Sequence, residues 1–204
     1  MLRHITRVIA ASATSEDLVF VREREGGLWV VVLDGAGGMG GGLRAAQLAA
    51  TLLEAAPPAP TPAGLAARLS EVDAALDRDR SAGETNAVVT WISATHIVGA
   101  SAGDSSLVLL SDDTESDLTA HQYLKRRLGS GRAIPVGFSA APRGPFRILA
   151  GTDGLFRYTT HGDLVAAARA PELDAAADRL LALPRMKSGG YADDVGFALV
   201  HAAR

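Results

Sequence analysis

Runs and alternations of apolar residues predict strands in the first part of the chain. Three extended segments are predicted there: 5–11, 18–24 and 28–33. The turn Glu25-Gly26-Gly27 between the last two is typical of a hairpin. Because every residue from Trp29 to Leu33 is apolar, this strand is expected to be covered on both faces.

Apolar residues then recur at helical spacing in two pairs of segments. In the first pair, one helix covers 43–56 and stops before Pro57-Pro58, and the next has Thr61 as its N-cap and Pro62 in its first turn. The second pair is predicted at 164–168 and 173–183.

Further strands are predicted between and after these helix pairs. They are 87–93, 96–102, 106–111, 146–151 and 193–201. The first three have very short connections and are therefore expected to be antiparallel neighbours. Residues 112–145 read as irregular, apart from a short helical piece near Tyr123. The order of elements indicates an α+β fold rather than repeated βαβ units.

Length and composition restrict the class of protein. A chain of 204 residues with 48% hydrophobic residues fits one domain, 1–204, with its own core. The sequence has no cysteine, which excludes disulfide scaffolds, thiolate metal sites and cysteine nucleophiles. Any metal must therefore be bound by oxygen or histidine ligands.

Charge and hydropathy argue against nucleic acid and membrane partners. Twenty basic and 23 acidic residues give a net charge of −3 without a basic cluster. No apolar run approaches the roughly 20 residues of a membrane-spanning helix. The apolar centre of the N-terminus, Val8-Ile9-Ala10, is too short for a secretory signal and reads as strand. A cytoplasmic protein is expected.

Residues 35–40 match G-x-G-x-x-G between a predicted strand and helix, the pattern of dinucleotide binding. The context fits poorly. The acidic residue expected about 20 residues further on would be Glu54, which lies inside the predicted helix. Asp34, directly before the first glycine, would also repel a pyrophosphate.

Residues 99–103 match G-x-S-x-G, the nucleophile elbow of serine hydrolases. That elbow requires a helix directly behind the serine, but a strand is predicted at 106–111. The pattern is better explained by small residues on two packed strands.

Four aspartates stand at predicted strand ends: Asp17, Asp34, Asp153 and Asp193. If these carboxylates converge, they repel one another unless cations bind between them, and oxygen ligands favour Mg²⁺ or Mn²⁺. Taken one at a time, each aspartate is better explained as a turn former or a helix cap.

An ordered set of short motifs spans the chain and includes these aspartates. The motifs are Ser15-Glu16-Asp17, Asp34-Gly35-Ala36-Gly37-Gly38, Gly103-Asp104-Ser105, Thr152-Asp153-Gly154-Leu155 and Asp193-Asp194. The set resembles that of the metal-dependent protein phosphatases of type 2C, in a compact bacterial form. The resemblance implies a β-sandwich of two antiparallel sheets flanked by helix pairs.

The resemblance also implies a site with two Mn²⁺ or Mg²⁺ ions. Asp34 would bridge the ions, the Gly35 carbonyl would bind one of them, and Asp17, Asp153 and Asp193 would complete the ligands. Glu16 would hold a metal-bound water. A water bridging the two ions would attack the phosphorus of phosphoserine or phosphothreonine in a protein substrate, such as the product of a serine/threonine kinase.

The sequence departs from the family pattern in ways that bear on substrate and metal binding. Family members have a phosphate-binding arginine five residues before the first aspartate, where this chain has Ser12; Arg3, Arg7 and Arg132 are candidate substitutes. His121 takes the place of an aspartate that binds a third ion. An imidazole suits Mn²⁺ better than Mg²⁺, and His121 is equally well explained as a loop residue without a metal.

The remaining departures concern Asp194 and the flap that shapes substrate access. Asp194 replaces an asparagine beside the last metal ligand without changing the ligand count, and the flap, about 112–145, is short. Ser12 and the short flap motivate an alternative function, a degenerate phosphatase fold that binds a phosphoprotein or a kinase without efficient turnover.

Overall fold

The computed structural model describes residues 1–24, 26–37, 40–55, 60–111 and 114–203. Within these ranges the chain forms ten strands and five helices. The strands are β1 (Leu2–Ile9), β2 (Asp17–Arg24), β3 (Gly27–Ala36), β4 (Glu84–Ile92), β5 (Ile97–Ala102), β6 (Ser106–Ser111), β7 (Glu115–Asp117), β8 (Val136–Ala140), β9 (Phe146–Gly151) and β10 (Val195–Ala202). The helices are α1 (Gly41–Ala55), α2 (Pro62–Arg78), α3 (Asp153–Phe156), α4 (His161–Ala168) and α5 (Leu173–Ala182).

The strands form two five-stranded antiparallel sheets that pack face to face. The first sheet has the order β1-β10-β9-β6-β7 and the second the order β2-β3-β4-β5-β8. Helices α1 and α2 cover the outer face of the second sheet, and α4 and α5 cover that of the first. The predicted α+β sandwich flanked by helix pairs is therefore confirmed.

Alternation along β3 explains how one strand contributes to two apolar layers. Val30 and Val32 pack between the sheets, whereas Val31 and Leu33 pack under α1 and α2. All four side chains are fully buried. Successive side chains of a strand point to opposite faces, so a strand covered on both sides must be apolar at every position. This confirms the expectation for Trp29 to Leu33.

Most predicted elements are present with shifted ends. Thr61 is the N-cap of α2, and its Oγ1 accepts a hydrogen bond from the Gly64 amide at 3.1 Å, as expected. The first strand begins at Leu2, where Leu2 to Ile9 pair with β10 along their whole length. Parts of the predicted hairpin turn, glycine motif and first helix end lie outside the described residues, namely Glu25, Gly38, Met39 and Ala56.

Three predictions about the middle of the chain are wrong. Residues near Tyr123 form turns rather than a helical piece. The segment 112–145 contains two strands, β7 and β8, that were expected to be irregular. Strands β5 and β6 do not pair with each other, because the chain crosses from one sheet to the other between them. None of the helices in the described ranges is long and apolar enough to span a membrane.

Candidate metal centre

The predicted acidic residues converge at one end of the sandwich and come from both sheets. Register pairing between β2 and β3 places Asp17 directly opposite Asp34 in the second sheet. Asp153 follows β9, and Asp193 precedes β10, two paired strands of the first sheet. The charges of Asp34, Asp153 and Asp193 act on each other, so the sequence expectation of convergence holds.

A fifth carboxylate, Asp104, belongs to the same cluster. Ligand atoms of Asp34, Asp104 and Asp153 all lie within 4.8 Å of one another, close enough to bind one metal ion. Asp104 stands just after Gly103, whose φ of +92° favours glycine and turns the chain out of β5. The sequence shows Asp104 in the motif Gly103-Asp104-Ser105 without indicating a role for it, although Asp104 follows a predicted strand end as the other aspartates do.

Asp17 is the most deeply buried carboxylate of the site. Asp17 is 3% exposed, and its Oδ2 atom has no hydrogen-bond partner among the described residues. Burial, followed by the charge of Asp34, raises the pKa of Asp17 to about 8, although a hydrogen bond with Thr152 lowers it in part. A buried oxygen without a partner is costly unless a cation binds it, so Asp17 fits a metal ligand.

Asp34 is held in place by β4, its other neighbour in the sheet. Asn86 lies opposite Asp34 in the register, and its Nδ2 donates to Asp34 Oδ2 at 3.0 Å. The Thr85 hydroxyl donates to the main-chain oxygen of Asp34, also at 3.0 Å. Burial raises the pKa of Asp34 to about 7, with Asn86 lowering it and the charges of Asp153 and Asp104 adding to the rise. One carboxylate oxygen is thus oriented by an amide.

Asp153 occupies the first position of the short helix α3. Burial and the charge of Asp104 raise its pKa, while Arg157 and Arg127 oppose the rise. Arg157 forms an ion pair with it, Nη1 to Oδ2, at 3.1 Å. The following residue, Gly154, cannot be larger, because a Cβ there would lie 1.8 Å from the Asp194 carbonyl oxygen. Helix α3 therefore packs directly against the segment that carries Asp193.

Asp194 fixes the loop that leads into β2. Its two carboxylate oxygens accept hydrogen bonds from the amides of Ala11, at 2.8 Å, and Glu16, at 2.6 Å. Asp193 Oδ1 in turn accepts from the Asp194 amide at 3.0 Å. Since both oxygens of Asp194 bind main-chain amides, Asp194 positions the residues beside the cluster. The charge of Asp193 acts on Asp17, Asp34 and Asp153.

The backbone around Gly35 approaches its neighbours too closely for any side chain. The Gly35 amide donates to the Glu16 carbonyl at 3.2 Å, and a Cβ on Gly35 would lie 2.4 Å from the Gly42 oxygen. This contact joins the end of β3 to the start of α1. It explains the glycine-rich stretch by packing, and the predicted role of the Gly35 carbonyl as a ligand stays a prediction.

His121 lies apart from this cluster. It is exposed and forms an edge-to-face contact with Tyr123, with ring centroids 6.0 Å apart. Its Nδ1 lies 3.2 Å from the Tyr123 hydroxyl. Within the described residues, the group of side chains able to share one metal ion consists of Asp34, Asp104 and Asp153 and does not include His121. The additional candidate metal ligand in the structure is therefore Asp104, whereas the sequence suggested His121.

The serine of the G-x-S-x-G pattern is not a nucleophile at an elbow. Ser101 lies inside β5, is 1% exposed, and its hydroxyl donates to Gln122 Oε1 at 3.3 Å. The next element is strand β6, as the sequence predicted. The interpretation as small residues on packed strands is confirmed.

The chemistry of the donor set fits divalent cations. In the part of the chain that the structure describes, Asp17 Oδ2 and Asp104 Oδ1 are buried without hydrogen-bond partners. The pKa values of Asp17, Asp34 and Asp153 are raised. Such a cluster is unfavourable when ionised in isolation, and hard oxygen ligands suit Mg²⁺ and Mn²⁺. The residues that are present therefore fit a carboxylate-bound metal centre.

Solved structures of bacterial serine/threonine phosphatases have the same fold. The catalytic domain of the phosphatase PstP, solved with two manganese ions, matches at a TM-score of 0.81 and 23% identity, covering 100% of this chain and 99% of that chain. Stp1 from Staphylococcus aureus matches at 0.81 and 17% identity, covering 98% and 94%. PppA from Pseudomonas aeruginosa, a key regulatory component of T6SS, also matches, at a TM-score of 0.81 and 18% identity, covering 98% of this chain and 96% of that chain.

No protein-family model and no curated protein matches the sequence. The solved structures confirm the resemblance to metal-dependent phosphatases of type 2C for the fold, over the whole length of the chain.

Proposed function

We propose that this protein is a Mn²⁺- or Mg²⁺-dependent phosphatase that hydrolyses phosphoserine and phosphothreonine in proteins. The observation that carries the proposal is the convergence of carboxylates from both sheets, two of which bury oxygens without partners. The fold shared with PstP, which was solved with two manganese ions, supports it.

The proposed ligands divide between the two sheets. Asp17, Asp34 and the Gly35 carbonyl come from the second sheet, and Asp153 and Asp193 come from the first. Asp104, at the crossing between the sheets, is added to this set because its ligand atom lies within 4.8 Å of those of Asp34 and Asp153. When bound, divalent cations supply a water of lowered pKa and neutralise charge on the phosphoryl oxygens.

Residues of the chain itself orient these groups and hold their protons. Asn86 orients the Asp34 carboxylate through its amide, and Asp194 holds the Glu16 amide so that the loop before β2 stays against the cluster. In the metal-free protein, Asp17 retains a proton at neutral pH because its pKa is about 8, and this proton must leave when a cation binds.

A Mn²⁺-dependent assay on a phosphothreonine peptide tests the proposal. Asp153→Asn keeps the size of the side chain but removes a ligand charge, and we expect it to lower kcat at least about 100-fold. Asp174→Asn, at an 81% exposed position on α5, is the matched control and should retain full activity. Activity without metal, or an active Asp153→Asn variant, would refute the two-metal mechanism.

The same experiment separates the phosphatase from the degenerate module. Ser12 is exposed and provides no cation, which is the observation that favours a binding module. If the protein binds Mn²⁺ by calorimetry and binds a phosphopeptide but does not release phosphate, the module is the correct function. Turnover with Mn²⁺ excludes it.

The origin of the phosphoprotein substrate and the cellular location of the protein are part of the same proposal. The phosphoprotein substrate is the product of a serine/threonine kinase, and the protein acts in the cytoplasm, with neither nucleic acid nor membrane as a partner. The net charge of −3 supports the first of these exclusions. Phosphoprotein profiling of cells that lack the protein, together with cell fractionation, tests these points.

A further inference from the structure

A phosphate group that approaches the acidic cluster needs a compensating cation. The cluster brings at least three carboxylates within 4.8 Å of one another, and a phosphate carries up to two negative charges. Metal ions offset part of this repulsion, and proteins that bind phosphate commonly add an arginine whose planar group pairs with two phosphoryl oxygens. The question is which arginine of this chain can do so.

Two of the arginines suggested by the sequence are poor candidates. Arg7 forms ion pairs with Asp174 and Asp178 of α5, with its Nη2 atom 3.6 Å from Oδ1 of each. Arg3 pairs in the register with His201, at the end of β10 remote from the cluster. Arg7 is thus paired with α5, and Arg3 lies at the opposite end of β1 from the cluster, so neither is placed to bind a phosphate there.

Arg157 lies at the cluster itself. It is the residue after α3, one helical turn beyond Asp153, and its Nη1 lies 3.1 Å from Asp153 Oδ2. The charges of Asp153 and Asp104 raise its pKa, as does a hydrogen bond with Tyr158. Residues four apart on a helix face the same side, so this spacing directs the guanidinium to the cluster.

The guanidinium of Arg157 also remains accessible from solvent. Its side chain is 59% exposed, in contrast to 17% for its partner Asp153. A guanidinium has five N–H donors, and its contacts with Asp153 and Tyr158 occupy only part of them. Arg157 is therefore a cation at the entrance of the site, with donors left for a ligand that arrives from outside.

We propose that Arg157 binds the phosphoryl group of the substrate. It would thereby replace the phosphate-binding arginine that family members have at the position of Ser12. This assignment rests on the proposed phosphatase function. Arg127, whose charge also acts on Asp153, adds positive potential on the same side of the cluster. Because Arg157 follows the metal ligand Asp153 by one turn, the same short helix positions both the ligand and the phosphate-binding group.

The test compares Arg157→Ala with a matched arginine elsewhere on the surface. Arg22, 51% exposed and paired with Glu54, lies on β2 about 17 Å along the strand from Asp17. With Mn²⁺ at saturation, we expect Arg157→Ala to raise the KM for a phosphopeptide and the inhibition constant of inorganic phosphate about 10- to 100-fold. Arg22→Ala should change both less than about twofold.

Direct binding experiments distinguish substrate binding from support of Asp153. Calorimetry with inorganic phosphate on the Mn²⁺-loaded protein should show weaker binding for Arg157→Ala and partial recovery for Arg157→Lys, which keeps the charge but not the planar fork. Calorimetry with Mn²⁺ should show an affinity that is unchanged or higher, because a cation beside Asp153 has been removed. A purely structural role would instead lower the Mn²⁺ affinity and leave phosphate binding at saturating Mn²⁺ unchanged.

These outcomes also separate this assignment from the proposed function. Unchanged KM and phosphate affinity in an active Arg157→Ala enzyme would overturn the role of Arg157 and leave the phosphatase intact. Absence of turnover in the wild-type protein would overturn the phosphatase, and the phosphate-binding comparison would still decide whether Arg157 binds phosphate.

Discussion

Replacing Asp17 by asparagine should stabilise the metal-free protein while removing a proposed metal ligand. Asp17 is buried opposite Asp34, and its pKa of about 8 lies above the unfolded value of 3.8. Between these two values the native state holds a proton that the unfolded state has released. Asp17 therefore favours the native state least at alkaline pH, and its contribution falls as the pH rises from about 4 to about 8.

The magnitude follows from the separation of the two pKa values. At pH 7 the native carboxyl group is still largely protonated, and about three pH units at ~1.4 kcal/mol each give a cost of about 4 kcal/mol. Asparagine has a similar shape and no charge, although its amide needs its own partner. We therefore expect a gain of about 2 to 4 kcal/mol, or roughly 5 to 15 °C in Tm for a chain of this size.

Thermal unfolding in chelator at pH 5, 7 and 8.5 measures this effect. The Tm of the wild-type protein should fall toward alkaline pH more steeply than that of Asp17→Asn, and the variant should lose most of the stabilisation by Mn²⁺. Asp174→Asn, whose side chain is exposed, serves as the control with the wild-type slope. A variant that is less stable than wild type at pH 8.5, or that has the same pH dependence, would refute the reasoning.

The remaining predictions concern metal binding and two structural carboxylates. The affinity for Mn²⁺ should rise between about pH 6 and pH 8, because Asp17 and Asp34 must release protons when the ion binds. Calorimetry in two buffers of different ionisation enthalpy counts the protons released. A count of zero would contradict the raised pKa values. Asp73→Ala should lower the free energy of unfolding, measured by urea titration, by about 2 to 4 kcal/mol, because buried Asp73 accepts hydrogen bonds from three main-chain amides within 129–133. A loss below about 1 kcal/mol would show that water replaces these hydrogen bonds. Asp194→Ala should speed amide exchange of Ala11 and Glu16 at least about tenfold, and unchanged exchange would contradict its positioning role.

The two-sheet fold was predictable because its central strands have distinctive patterns. The uniformly apolar β3 and the capped helix α2 follow from rules that act over a few residues. The strands that were missed lack such patterns. Glu115 to Asp117 form β7 with three exposed polar residues, and only Phe138 of β8 is buried. These edge strands exist because β6 and β5 offer them hydrogen-bond partners, which a local pattern cannot reveal.

Candidate positions for the site could be predicted from the sequence, but its geometry could not. Aspartates at strand ends mark candidate positions, and the pairing of Asp17 with Asp34 follows once the hairpin register is known. Asp104 was missed as a ligand because its place depends on the chain crossing between sheets after β5. The ion pair of Arg157 with Asp153 requires the short helix α3, which is too brief to leave a helical pattern in the sequence.

The division of the acidic cluster between two sheets has a mechanical consequence. Among the ten described strands, none of one sheet pairs with a strand of the other, so apolar packing between their faces and the chain crossings hold the layers together. In the proposed metal centre, an ion bound by Asp34 of one sheet and by Asp153, which follows a strand of the other, would add a coordinate bond between the two sheets at one end. Resistance to sliding of one layer over the other then depends on divalent cation concentration, and the load at which the domain opens in a pulling experiment should rise with Mn²⁺.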